Sequence, residues 1–183
     1  AEHWDLAAKA MVRCGAHREA ADLLAKHGQS DAAARIYERL QMFSEAATCY
    51  AAAGDVGKEA RCRFLTGDKM AVIRLRITSG ELDEALRVAE SIKNVESDFV
   101  EATQIAAGLR EADGDNEGAL ANLRRLLAVK LPVPTRRRVT RHAVELAVTT
   151  QQRAVGEALI SDYLGTAGVV EDDEAWVVSL RAD

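Results

Sequence analysis

Proline, aromatic residues and long apolar runs are scarce in this sequence, and their scarcity restricts the fold. The only prolines, Pro132 and Pro134, lie close together among 183 residues, so most of the chain is free to form uninterrupted helices. Aromatic residues make up 4% of the chain, and alanine supplies much of its apolar content, which favours an all-α protein. No apolar run reaches the roughly 18 residues of a membrane span and no signal peptide opens the chain, so we expect no membrane insertion.

Cysteine and histidine are also scarce, which argues against a disulfide framework or a metal site. Cys14, Cys49 and Cys62 are odd in number and form no CxxC pair. We expect Cys49 and Cys62 to be small buried thiols, and the environment to be reducing and cytoplasmic. The sequence has no HExxH, no GxSxG and no phosphate-binding loop, so we expect neither catalysis nor a cofactor.

The charge balance argues against general affinity for nucleic acid. The formal net charge is −5, whereas binding to the phosphate backbone depends on concentrated positive charge. Arginine outnumbers lysine 18 to 6, a bias that favours a GC-rich, bacterial genome. The chain begins at Ala1 directly inside a repeated unit, so we expect it to be a segment of a larger protein.

A thirteen-residue repeat organises the first half of the chain. Glycine, or once glutamine, recurs at this spacing at Gly15, Gly28, Gln41, Gly54, Gly67 and Gly80. Thirteen residues accommodate about ten helical residues and a short turn, and glycine suits the left-handed conformation that ends a helix. Because short turns make successive helices antiparallel, the repeat predicts helical hairpins stacked as an α-solenoid.

Each repeat, numbered from its glycine, places positions 3, 6, 10 and 13 on one helical face, which we predict to be the core. Position 10 holds Tyr37 and Tyr50, whose rings we expect at the core edge with their hydroxyls at the rim. Trp4 is expected to pack at the end of the stack. Position 6 is mostly small, which lets helices approach closely: Ala7, Ala20, Ala33, Ala46, Glu59, Val72 and Ala85.

Three stretches resemble tetratricopeptide-type repeats: REAADLLAKHG, SEAATCYAAAGD and LDEALRVAES. The resemblance implies a tetratricopeptide-like right-handed stack of helical hairpins. The hairpin here has 26 residues instead of the 34 of the standard unit, so it is also similar to SNAP-type adaptors and to the solenoid arms of coat and ciliary-transport proteins. Such families are protein-binding scaffolds, usually without catalysis, and the resemblance implies the same here.

We predict three segments along the chain: short repeats in 1–92, a longer tetratricopeptide-like hairpin in 93–131, and proline-started helices in 132–183 that cap or continue the solenoid. Further helices are predicted at Ser97–Ala112, Asn116–Lys130, Thr135–Gln151, Arg153–Gly165 and Asp172–Leu180, with Trp176 docking the last of them. Helix N-caps are expected at Thr135 and, within the repeats, at Ser30, Ser44, Asp55 and Asp68.

The most specific candidate site is a column of basic residues at repeat position 8, which lies about 160° from position 6 on a helical wheel. Because alternate helices share one wall of a solenoid, this basic column would line up Lys9, Arg35, Arg61 and Arg87. Either the column binds carboxylates of a partner, through the paired hydrogen bonds that guanidinium groups form, or it is an ordinary solvent-exposed face.

A second candidate is a basic cluster on the predicted helix Thr135–Gln151, formed by Arg136, Arg137, Arg138 and Arg141. It lies in the stretch 118–144, which has no acidic residue, whereas 157–183 is strongly acidic. The cluster would meet phosphate, an acidic partner or the acidic stretch itself. Nucleic acid is disfavoured because the region 124–141 lacks aromatic residues for base stacking.

Together these features predict a non-catalytic protein–protein interaction module, a scaffold or adaptor segment that binds another protein or peptide, acidic in character, on a preformed surface. Two alternatives stay open. One is a structural spacer or self-assembly module that forms homo-oligomers. The other, which is less favoured, is a nucleic-acid-binding helical repeat that uses the region 124–141.

Overall fold

The structure, a computed structural model, describes residues 2–166, and these residues are all-α, with eleven helices and no strand. In chain order the helices are α1 (Glu2–Arg13), α2 (His17–Lys26), α3 (Ser30–Arg39), α4 (Phe43–Ala53), α5 (Val56–Leu65), α6 (Lys69–Thr78), α7 (Leu82–Ser91), α8 (Phe99–Ala112), α9 (Asn116–Leu127), α10 (Val133–Thr149) and α11 (Arg153–Leu164).

The chain divides into two compact units, Ala1–Val88 and Ala89–Asp183. In the first unit each helix from α1 to α5 packs against the next one along the chain, so that α5 packs on α6. In the second unit α8 packs on α9, α9 on α10 and α10 on α11. Connections of a few residues make these neighbours antiparallel hairpins. The predicted all-α class and the tetratricopeptide-like helical-repeat arrangement are therefore confirmed, while the predicted three-segment division stays a prediction.

One type of turn joins most of the helices. After α4, Gly54 is left-handed with φ 75°, and the next amide, that of Asp55, donates a 3.0 Å hydrogen bond to the carbonyl of Tyr50. This pattern satisfies carbonyls that the helix end leaves without partners. The left-handed residues among 2–166 are Gly15, Gly28, Gln41, Gly54, Gly67, Gly80, Gly114 and Gln151. The predicted role of the repeat glycine is confirmed.

Aspartate caps three of the helices that follow these turns. The carboxylates of Asp55 and Asp68 accept hydrogen bonds of 3.0 Å from backbone amides in the first turns of α5 and α6, and Asp115 does the same for α9 at 2.8 Å. The caps predicted at Ser30 and Ser44 are wrong. The cap is the residue directly after the left-handed one, so both serines already lie inside their helices.

In α2, α3 and α4 the core includes repeat positions 6, 7 and 10 rather than 3, 6, 10 and 13. In α2 these positions hold Ala20, Ala21 and Leu24, which are all buried. Positions 3 and 13 fall at the helix ends, where Trp4, His27 and Leu40 are exposed. A helix in a stack contacts the helix before it and the helix after it, so two adjacent small residues are needed where the sequence pattern indicated one.

Glu59 is the exception among the small residues of position 6. It is buried in α5, 7% exposed, in the row that α2, α3 and α4 fill with alanine. Arg63, one turn later, donates a 2.8 Å hydrogen bond from Nε to its carboxylate. This pairing explains how a carboxylate is tolerated there, since a buried charge without a partner is costly.

The prolines lie at the start of α10, after the break that separates it from α9. Pro132 is the residue before the helix, and Pro134 lies in its first turn, where no amide donor is needed. The predicted cap at Thr135 is therefore wrong, because the helix starts two residues earlier. The helix expected at Asp172–Leu180, with Trp176, lies outside the described residues.

Candidate functional site

The basic column is exposed in the first unit. Its four side chains lie on alternate helices, α1, α3, α5 and α7, and each is between 62% and 70% exposed. Position 8 therefore points away from the alanine core, as the helical wheel predicts. The residues are Lys9, Arg35, Arg61 and Arg87.

Three members of the column pair with carboxylates of their own helices. Lys9 lies 2.6 Å from Asp5, Arg35 lies 2.9 Å from Asp31, and Arg87 lies 2.6 Å from Glu84. Exposed pairs one turn apart contribute only a few tenths of a kcal/mol each. A partner's carboxylate can therefore replace the internal one with little loss of stability.

Arg61 differs because its pairing crosses between helices. On α5, it contacts Glu38 of α3, and the other oxygen of that carboxylate accepts a 2.7 Å hydrogen bond from Tyr50 of α4. Glu38 thus connects three helices, and Arg61 has a structural role in addition to the proposed binding role.

Lys58 is a cation that the sequence analysis missed. It lies one turn before Arg61 on α5, 2.6 Å from Asp55 and 3.4 Å from Asp31 of α3. The hydrogen bond to Asp55 raises the pKa of Lys58 and lowers that of Asp55. The Lys58–Asp31 and Arg61–Glu38 ion pairs join side chains of α5 and α3. Asp31 also pairs with Arg35, so Arg35 and Arg61 both lie on the face where these ion pairs form.

The tyrosines of position 10 have buried rings and polar contacts at the rim, as predicted. Tyr37 is 5% exposed and donates to Asp22 of the preceding helix, just as Tyr50 donates to Glu38. Burial and then the carboxylate contact raise the pKa of both phenols above their usual value. They are structural bridges between adjacent helices.

The four arginines of the second basic cluster, all on α10, differ in exposure. Arg138 and Arg141 are exposed, and Arg141 pairs with Glu145 at 3.0 Å. Arg136 is half-buried and donates to the carbonyl of Leu127 over 3.4 Å, while half-buried Arg137 contacts the hydroxyl of Tyr163. The four arginines therefore do not form one uniform surface.

Another arginine of the basic region is engaged inside the second unit. Arg125 donates a 2.6 Å hydrogen bond to the carbonyl of Ile92, and its guanidinium lies 4.9 Å from the ring centre of Phe99. Nearby, Glu90 accepts from Arg110 and Asn122. These contacts were not predicted, because residues some twenty to thirty-five positions apart approach only in the fold. Arg125 is therefore not available to bind phosphate.

A cavity of about 420 Å³ lies between α9, α10 and α11 in the second unit. Its wall is mostly apolar, and two arginines and one aspartate also line it. The lining residues are Arg124, Leu127, Ala128, Arg136, Thr140, Ala154, Val155, Ala158, Leu159, Asp162 and Tyr163.

Neither a metal-binding cluster nor a membrane-spanning helix is present among residues 2–166. No group of three or more histidine, cysteine or acidic side chains in this range is arranged to hold a metal ion. Among the helices of the same range, none combines the length and the apolar character that crossing a membrane requires.

No protein-family model and no curated protein matches the chain. Two solved structures are similar to it: the nearly identical TPR-like repeats of a Podosopora anserina protein described as a kinesin light chain, and a variant of the same repeats with one substitution. They are 15% and 16% identical to this chain, with a TM-score of 0.43 for each. The alignments cover 82% of this chain and 92% or 93% of theirs.

Proposed function

We propose that the chain is a non-catalytic protein–protein interaction module that binds an acidic segment of another protein along the basic column. The observation that carries the proposal is the exposure of Lys9, Arg35, Arg61 and Arg87 on alternate helices of the first unit. A helical stack holds such side chains at fixed spacing, so the partner meets a preformed surface and little ordering is needed on binding.

The weak pairing of three of these residues supports the proposal. Within residues 2–166 the ion pairs of Lys9, Arg35 and Arg87 are with acids one turn away, whose side chains are 43% to 45% exposed. Exchange of such a carboxylate for a partner's requires only a rotamer change. Guanidinium groups bind carboxylates through two parallel hydrogen bonds, which favours an acidic peptide over an apolar one.

The test is quantitative capture of partners from lysate by the full chain, with matched variants read by mass spectrometry. The triple variant K9E/R35E/R87E reverses the column without touching the cross-helix Arg61 contact. The control R13E/R18E/R39E makes the same change in net charge at exposed positions outside the column. Partners should be lost with the first variant and retained with the second. Equal recovery by both variants would contradict the proposal.

Self-assembly is the second candidate function. Phe64 and Leu65 are adjacent at the end of α5 and are 51% and 54% exposed, which gives an apolar patch that a second copy would cover. Light scattering over a concentration series tests this candidate. If the measured mass stays that of one chain at high concentration, self-assembly is excluded. If the mass rises with concentration and F64S/L65S abolishes the rise, self-assembly is supported.

For the cellular setting we propose the cytoplasm of a bacterium, with the chain acting as a scaffold or adaptor. The cytoplasmic assignment is supported by Cys14, Cys49 and Cys62, which are all free thiols. The bacterial assignment is supported by the arginine excess alone. Immunofluorescence or fractionation of the native host tests the first assignment, and recovery of the chain in a membrane or secreted fraction would contradict it.

A further inference from the structure

The cavity of the second unit has the size and shape of a small-molecule site. It has a volume of about 420 Å³, within the roughly 300–1,000 Å³ that such sites occupy. Leu127 of α9 and Val155 and Leu159 of α11 form much of its wall, and alanines from the same helices leave room between them. An apolar group of a ligand would be removed from water there.

Arg136 brings a hydrogen-bond donor to this cavity. Its Nε is enclosed by protein, but its Nη1 reaches the Leu127 carbonyl only at 3.4 Å, which is a long hydrogen bond. A ligand carboxylate would give this guanidinium a charged acceptor, which forms a stronger hydrogen bond than a carbonyl does. Arg124 brings a second guanidinium to the same cavity from α9.

Asp162 restricts the charge of the ligand. Its carboxylate also lines the cavity, and it forms no ion pair with either arginine within the described residues. Two guanidiniums and one carboxylate give the cavity wall a formal net charge of +1. One negative charge on a ligand balances that charge, whereas a di- or triphosphate would leave an excess of negative charge in the cavity.

We propose that this cavity binds a small monocarboxylate with a compact apolar chain. The carboxylate accepts hydrogen bonds from Arg136 and Arg124, whose guanidinium forks match its geometry. The apolar chain packs against Leu127, Val155 and Leu159. This site lies wholly in the second unit and does not depend on the basic column, so the two proposals stand or fall separately.

Titration of the full chain with hexanoate, followed by heteronuclear NMR, tests the proposal. For a ligand of this size we expect a Kd on the order of 1 mM. Hexanamide keeps the apolar chain and lacks the charge, and acetate keeps the charge and lacks the chain, so each should bind at least about tenfold more weakly. The shifted resonances should belong to α9, α10 and α11.

Variants separate the arginines from general charge effects. R136Q and R124Q should each weaken hexanoate binding about tenfold, whereas R138Q, an exposed arginine two residues along α10, should change it less than about twofold. A158F leaves every charge in place and puts a ring at an exposed position of the cavity wall, so it should abolish binding without unfolding the helix.

Four results would overturn the proposal. Hexanamide binding as tightly as hexanoate would make the cavity merely apolar, and acetate binding as tightly would make the apolar wall irrelevant. Unchanged affinity in both R124Q and A158F, two variants at exposed positions, would place the ligand elsewhere. A tenfold gain on neutralising Glu171, Asp172, Asp173 and Glu174 together would identify the chain's own acidic stretch as the occupant.

Discussion

Tyr50 donates a 2.7 Å hydrogen bond to Glu38 across the α3–α4 hairpin, while Arg61 of α5 contacts the other oxygen of the same carboxylate. Tyr50 is fully buried, and its hydroxyl donates to the Glu38 carboxylate at the edge of the core. Three successive helices are therefore held in register by a single side chain.

The Tyr50–Glu38 hydrogen bond should be measurable as a coupling free energy. Y50F removes only the hydroxyl, and we expect it to lower the free energy of unfolding by about 1–2 kcal/mol, because the acceptor is charged. In a double-mutant cycle with E38A, urea unfolding should give a coupling of about 1 kcal/mol. Additive effects, within about 0.3 kcal/mol, would mean that the hydrogen bond contributes nothing.

The two bridging tyrosines should make the protein sensitive to alkaline pH. Burial and the carboxylate contacts raise the pKa of Tyr37 and Tyr50 in the folded state above the value of about 10 that the unfolded chain has. Below pH 10 both states are protonated and this stability is fully present. Above pH 10 the unfolded state loses its protons first, so the free energy of unfolding falls by up to about 1.4 kcal/mol per pH unit for each tyrosine.

Denaturant unfolding between pH 9 and 12 measures this effect. The matched variant Y37F/Y50F should show a clearly shallower decline, although it is less stable at neutral pH. Parallel declines in the two proteins would contradict the assignment.

Gln41 holds a turn position that glycine holds in the neighbouring repeats, and it should be strained. Its φ is 58°, in the left-handed region that side chains with a Cβ disfavour. We expect Q41G to raise the free energy of unfolding by about 0.5–1 kcal/mol. The reciprocal change G54Q should lower it by a similar amount, since a Cβ at Gly54 meets no atom within 4 Å and only the backbone opposes it. Thermal unfolding of both variants measures these changes. A Q41G variant that is less stable than the unmodified chain would contradict the strain at Gln41.

The cysteines should differ sharply in reactivity. Cys14 is exposed, whereas Cys49 and Cys62 are buried, and burial raises the pKa of both buried thiols. Because the thiolate is the reactive form, a maleimide should label Cys14 at least about a hundredfold faster than the other two. Mass spectrometry over time reads the labels, with C14S as the control that should stay unlabelled. Rapid labelling of two sites in C14S would show that the first unit opens.

The fold was predictable from sequence because the same turn and core residues recur at the same positions in successive repeats. Most copies pair a left-handed turn residue with a small residue at position 6, and both features can be recognised from a few adjacent residues. Position 7 was missed because its burial comes from the second neighbour of each helix, which no single helix reveals. Ala21 and Ala34 are examples, both fully buried.

The candidate sites were less predictable, because they depend on contacts between distant residues. Exposure of the basic column followed from the helical wheel. The contact of Arg61 with Glu38, 23 residues apart, and that of Arg125 with Ile92, 33 residues apart, did not. The place of Arg136 in the cavity wall likewise depends on how α9 and α11 meet α10, and sequence spacing carries no information about that.

The central claim is that the basic column binds an acidic partner, and the affinity of a captured partner tests it most directly. Isothermal titration of that partner should show K9E/R35E/R87E at least about tenfold weaker than the unmodified chain, with R13E/R18E/R39E within about twofold. Affinity for the unmodified chain should also fall as salt is added, because exposed charges are screened. A Kd that is the same for all three proteins would contradict the account.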